Sequence, residues 1–254
     1  MSAGTLYSSA ANPRALKALI AAKYVGKTVD QPAFNFPADL QTDEMKELFP
    51  MAKMPVFKTP CGKPLFESNA IAFYLAAQDE SVGLLGATAY EKGLVQTFMS
   101  FADNEIVGHL ATLLYPIFGI RAYDKDAHNA AASGLRRSLN ALEKWLTTRT
   151  YLASEQVTLA DIVLFCTLLP LYKMYLDTIT RAPFVNLNRW FNTILNQPNP
   201  TVPDMRVDVR PRAENLPPEV GVRQAAGPSR IPGSGSAHSP PPTRAKPHMH
   251  ARQE

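Results

Sequence analysis

Residues 53 to 76 read KMPVFKTPCGKPLFESNAIAFYLA, and four unlike signals follow one another within them. Met54-Pro55 opens a β-like run, PVF. The turn KTPCGK, with its Gly62, leads to a second short run, PLF, and an acidic-hydroxyl pair, Glu67-Ser68, then stands where a helical pattern begins. Two apolar runs joined by a Gly-containing loop predict a β-hairpin. Beyond Ser68, Ile71, Tyr74 and Leu75 recur at i, i+3 and i+4, which predicts a helix with one apolar face.

The same stretch contains the parts of a binding site. A cis bond at Met54-Pro55 would turn the Met54 backbone N–H and C=O outward, where an extended peptide pairs with them. Ser68, read as a helix N-cap, offers a hydroxyl beside free backbone N–H groups and the positive end of the helix dipole, a setting that suits a carboxylate. Glu67 is placed to accept a ligand ammonium. A short peptide with a free α-amino-carboxylate end needs that pairing.

Working outward, TLY (5 to 7) is a strand candidate. Asn12-Pro13 then opens a helix from Pro13 to Tyr24, since proline is tolerated in the first turn, and Leu16, Leu19 and Ile20 share its inner face. Residues 1 to 80 therefore read β-α-(β)-β-β-α. A connector over 81 to 89 leads into an all-helical half, 90 to 198, with helices expected over 90–114, 124–147, 158–177 and 184–196. Strands followed by helices place the chain in the α+β class.

VTLADI (157 to 162) carries the sharpest local signal. Thr158 is an N-cap, Asp161 its capping-box partner, and Val157 and Ile162 stand at the positions of a hydrophobic staple. The expected role of Thr158 and Asp161 is structural: they fix a helix and perform no chemistry.

Of the 254 residues, 46% are hydrophobic and 19% charged, the balance of a globular chain. Eighteen lysines and arginines stand against 17 acids in residues 1 to 198, and 8 against 5 in residues 199 to 254. The basic excess sits at the end of the chain, so the globular part carries no electrostatic case for nucleic acid. IVLFCTLLPLY (162 to 172) is too short for a membrane span and contains Pro170. Cys61 and Cys166 are the only cysteines, which implies no disulfide framework and fits a reducing compartment. His109 and His128 lack metal-ligand spacing. From Asn199 onward there are 11 of the 22 prolines and no Phe, Tyr or Trp, so residues 199 to 254 are expected to be a disordered, Pro-rich tail.

MPVF and FESNAIAFYLA, followed by a helical half containing TLADI, resemble the glutathione transferase family. SFADNEIV, RTYLASEQVTLADIVLFCTLLPLYK and NRWFNTILNQP resemble, more narrowly, the gamma-subunit family of eukaryotic translation elongation factor 1. The resemblance covers residues 1 to 198 and implies a thioredoxin-like first half and an all-helical second half. By motif it places Met54, Pro55, Glu67 and Ser68 at glutathione-binding positions, with no metal and no cofactor, glutathione being the ligand or substrate. It implies a cytoplasmic, non-catalytic scaffold that anchors the nucleotide-exchange (beta-type) subunit and pairs as a homodimer, without contact to nucleic acid or membrane. The alternative it implies is a glutathione transferase, conjugating the thiolate to electrophiles.

Conjugation needs a hydroxyl near the end of the first strand, to stabilise the thiolate by hydrogen bonding to its charged form. Where related enzymes carry a serine two residues before the proline, this chain has Ala11, and Tyr7 is the best substitute. The chain also departs from the family at its end. A lysine-rich linker and a second folded domain are expected after residue 198, and the Pro-rich tail stands there instead, as in a truncated or variant copy.

Overall fold

The computed structural model describes residues 2–9 and 12–197, in which a small sheet with its helices precedes an all-helical half. In chain order come β1 (Ser2–Tyr7), α1 (Pro13–Tyr24), β2 (Thr28–Asp30), α2 (Asp43–Leu48), β3 (Val56–Lys58), β4 (Pro64–Leu65) and α3 (Ser68–Ala76). The strands lie in the order β2-β1-β3-β4, with β1 parallel to β2 and the other two pairings antiparallel. Alternate residues of a strand face opposite sides of a sheet. Leu6 and Phe57 accordingly enter the large core with α1 and α3, while Tyr7 and Val56 join a small cluster with Leu40 and Phe49 on the other face. Gly4 has φ +138°, and a Cβ there would strike both the Lys58 carbonyl oxygen and the Phe57 ring, so only glycine lets β1 lie this close to β3.

The helical half comprises α4 (Ala89–Phe101), a π-helical turn (Ala102–Val107), α5 (Gly108–Leu114), α6 (Lys125–Trp145), α7 (Leu159–Met174), α8 (Thr178–Arg181) and α9 (Val185–Leu195). The α+β, transferase-like order expected from the sequence is the one observed. Three local readings need correction. The helix expected over 158–177 stops at Met174, because Asp177 starts α8 by accepting a hydrogen bond from Thr180 N at 2.7 Å. The helix expected over 124–147 ends at Trp145 and tightens into a 3-10 turn, Leu146–Thr148. Helix α2 was not expected; Thr42 caps it and Asp43 and Glu44 fill its first turn, but no residue in it is buried, so no apolar periodicity announces it.

Helix α7 is apolar all round and buried along nearly its whole length, the pattern of a central helix. Its capping residue Asp161 is wholly buried and accepts four hydrogen bonds: Thr158 N at 2.9 Å, Thr158 Oγ1 at 2.8 Å, Leu152 N at 2.9 Å and Trp190 Nε1 at 2.9 Å. Burial pushes this carboxyl above its ordinary value, and the four donors oppose the shift. Helix α9 has no cap of its own; Glu143 of α6 supplies one, accepting from Asn186 N at 3.0 Å and Leu187 N at 2.9 Å. Helix α1 packs against α3 on one side and α7 on the other, so one core runs through both halves. Ala11 and the Pro-rich segment 199–254 lie outside the described residues.

Candidate functional site

Four elements meet at a cavity of about 270 Å³: the start of α1, the chain entering β3, the N-terminus of α3, and the π-helical turn. Met54 and Pro55 line it, joined by a cis peptide bond, and Glu67 and Ser68 line it from the start of α3. The four residues assigned to the site from sequence are thus brought together.

Their roles differ in one respect from the expectation. The N-cap of α3 is Glu67, not Ser68: Glu67 has φ 65° and ψ 115°, outside the helical region, while its carbonyl already accepts from Ile71 N at 3.0 Å. Ser68 is the first helical residue. No side-chain hydrogen bond caps α3, so its leading N–H groups stay open to a ligand carboxylate. A positive φ at a non-glycine residue is costly, and such residues cluster where a backbone must present itself to a ligand.

Charges of both signs line the cavity. Arg14 and Lys53 bring positive charge; Glu67 and Asp103 bring negative. A short peptide with two carboxylates and one ammonium has the complementary set. Arg14, Lys53 and Asp103 were not picked out from sequence. Arg14 had a signal, since it follows the capping Asn12, whose Oδ1 accepts from Arg14 N at 3.0 Å. Asp103 had none: it reaches the site from a π turn, where the regular helical period fails. Asp103 borders the cavity, while the Glu105 carbonyl accepts from Ser138 Oγ at 3.0 Å.

Behind the cavity lies a polar chain. Lys17, 3% exposed, donates through Nζ to Asn69 Oδ1 at 2.7 Å, and Asn69 Nδ2 donates to Asp103 Oδ2 at 2.7 Å. Burial pulls the Lys17 ammonium below its ordinary value; Asp103 and Glu67 favour its charge and Arg14 opposes it. Asp103 also borders a second, open hollow of about 410 Å³ on the outer side of α3 and α4, with Asn69, Phe73 and Met99.

Tyr7 is not among the residues lining the cavity. The alternation of β1 sends its ring to the small cluster, 5.9 Å from Phe34. Cys61 is exposed in the hairpin turn, its thiol pushed down by the Thr59 hydroxyl 3.2 Å away. Burial raises the Cys166 thiol to about 12, which makes it a packing residue. Among the described residues no three His, Cys, Asp or Glu side chains are placed to hold a metal ion, and no helix is long and apolar enough to cross a membrane.

Known proteins share this architecture. Residues 2–77 match the glutathione S-transferase N-terminal domain family and residues 90–198 the glutathione S-transferase C-terminal domain family. Human elongation factor 1-gamma is 44% identical over 202 residues, which are 78% of this chain and 45% of that protein. The chain therefore spans less than half the length of this relative. The crystal structure of the GST-like domain of elongation factor 1-gamma from Saccharomyces cerevisiae superposes with a TM-score of 0.65 at 28% identity, over 78% of this chain and 91% of that one. A delta-class glutathione transferase of Nilaparvata lugens superposes with a TM-score of 0.66 at 25% identity, over 75% of this chain and 87% of that one.

Proposed function

The chain belongs to the glutathione S-transferase family, which its two halves match in turn, and from that premise we propose that it is a scaffold subunit of a translation elongation factor 1 complex. On this reading the transferase-like domain holds the nucleotide-exchange subunit in the cytoplasm and performs no conjugation of its own. The observation that carries it is the 44% identity to elongation factor 1-gamma, which runs through both halves. The site is consistent with it: Ser68 is the one hydroxyl side chain among the described residues lining the cavity, and it sits at a helix N-terminus, suited to a carboxylate. The test is capture of purified exchange-factor subunit by the whole chain. Stoichiometric recovery supports the scaffold; no recovery by a folded chain overturns it. Sedimentation of the free chain checks the homodimer that the family resemblance implies.

The second reading, a glutathione transferase, is favoured by the convergence of Met54, Pro55, Glu67 and Ser68 on one charged cavity. It assigns Tyr7 the activating role. Conjugation of glutathione to an aromatic electrophile, lost in Tyr7→Phe, would support it. Conjugation unchanged by that substitution would remove Tyr7 from the mechanism.

A further inference from the structure

Lysine is rarely buried, and a buried ammonium needs a reason. Lys17 lies inside α1 between the two halves, and its one hydrogen bond goes to Asn69, the second residue of α3. An ammonium only donates, so the Asn69 amide must turn its oxygen toward Lys17. Its nitrogen then faces outward, where it donates to Asp103 Oδ2 at 2.7 Å and to the Met99 carbonyl at 3.4 Å. An amide free to rotate could present its oxygen to Asp103 instead and repel it. Lys17 thus decides the orientation of Asn69, and Asn69 holds one carboxylate oxygen of Asp103. Asp103 itself lines the cavity, on a π turn that places it there.

We propose that Lys17 is a positioning residue for the cavity: acting through Asn69, it holds Asp103 so that the site prefers peptides with a free α-ammonium over the same peptides with that amine blocked. This rests on the reading of the cavity as a site for a glutathione-like peptide, and it applies whether or not the bound peptide reacts. Lys17 touches no ligand. Its effect is on which ligand is chosen. The charged groups that reach Lys17 are Asp103, Arg14 and Glu67, all of which border the cavity, while Cys166 faces Lys17 as a neutral thiol.

The experiment is calorimetric titration of the whole chain with reduced glutathione and with N-acetylglutathione. The variants are Lys17→Met, Asn69→Ala and the double variant. Methionine keeps the apolar stem of lysine and removes the ammonium, both its charge and its donors. The wild-type chain is expected to bind glutathione more tightly than the acetylated form. Each single variant should lower that preference about tenfold while leaving affinity for the acetylated peptide unchanged, because a hydrogen-bonded charge is lost for one ligand only. The double variant should lower it no further, the signature of one residue acting through another. A Lys17→Met chain with the wild-type preference, or a raised one, overturns the proposal, since a purely coulombic role would strengthen ammonium binding. Should Lys17→Met fail to fold, Asn69→Ala, at a half-exposed position, decides in the same way. Wild-type chain that binds neither peptide removes the cavity reading itself. Binding of both with no preference removes only the inference.

Discussion

Trp190 Nε1 donates to Asp161 Oδ1 across 2.9 Å, with both side chains wholly buried, so α9 is tied to the cap of the central helix α7. Asp161→Ala strands four donors, two of them backbone N–H groups, away from water. The expected loss is about 3 to 5 kcal/mol of unfolding free energy, read from urea denaturation. Trp190→Phe keeps most of the packing and removes a single donor, so it should cost clearly less.

Glu67 pays for its position in backbone strain. Glu67→Gly is expected to raise stability by about 1 kcal/mol, because glycine adopts φ 65° without a Cβ clash, and to weaken glutathione binding by removing a cavity carboxylate. Thermal unfolding and calorimetric titration on the same sample test both parts. A variant that gains stability and keeps full affinity would show that the Glu67 side chain is dispensable to the site.

Gly134 of α6 faces the imidazole of His109 on α5, and a Cβ there would overlap the ring. Gly134→Ala should cost about 1 to 2 kcal/mol from overpacking despite alanine's better helix propensity. Combined with His109→Ala, the same change should cost less than the sum of the two single variants, measurable as a coupling in a double-mutant cycle.

His128 sits against the rings of Tyr123 and Tyr175, at 5.4 and 5.8 Å, and burial lowers its pKa below the ordinary 6.5. A histidine whose folded-state value is depressed contributes stability that is complete above the unfolded value and is lost as the pH falls through the folded one. The unfolding midpoint should therefore drop as the pH goes below 6.5, and His128→Gln should flatten that part of the profile. An unchanged profile in the variant would assign the drop to other groups.

The hairpin of residues 56–65, the capping box at Thr158 and Asp161, and the order of the two halves were legible because each rests on local signals: a glycine turn, an i, i+3 cap, a helical period. The setting of Tyr7 was not legible in this way. The sequence places a hydroxyl near the end of a strand, but which face it takes depends on pairing with β3, where Val56 stands opposite. Asp103 and Lys17 were illegible because their meaning is non-local. One depends on a π turn, and the other on a partner 52 residues away. Glu143 is a third case, a carboxylate on α6 that caps α9 some 43 residues on. No window of sequence contains both partners of such contacts.

Helix α1 belongs to the first half by chain order, yet its alanines, Ala18, Ala21 and Ala22, are buried in a core that also includes α7. A seam packed this closely constrains inheritance as well as shape. A recombination joining residues 1–80 of one such gene to the helical half of a distant relative would mismatch α1 with its new neighbour. The two halves are expected to descend together, with variation on either side of the seam changing in step.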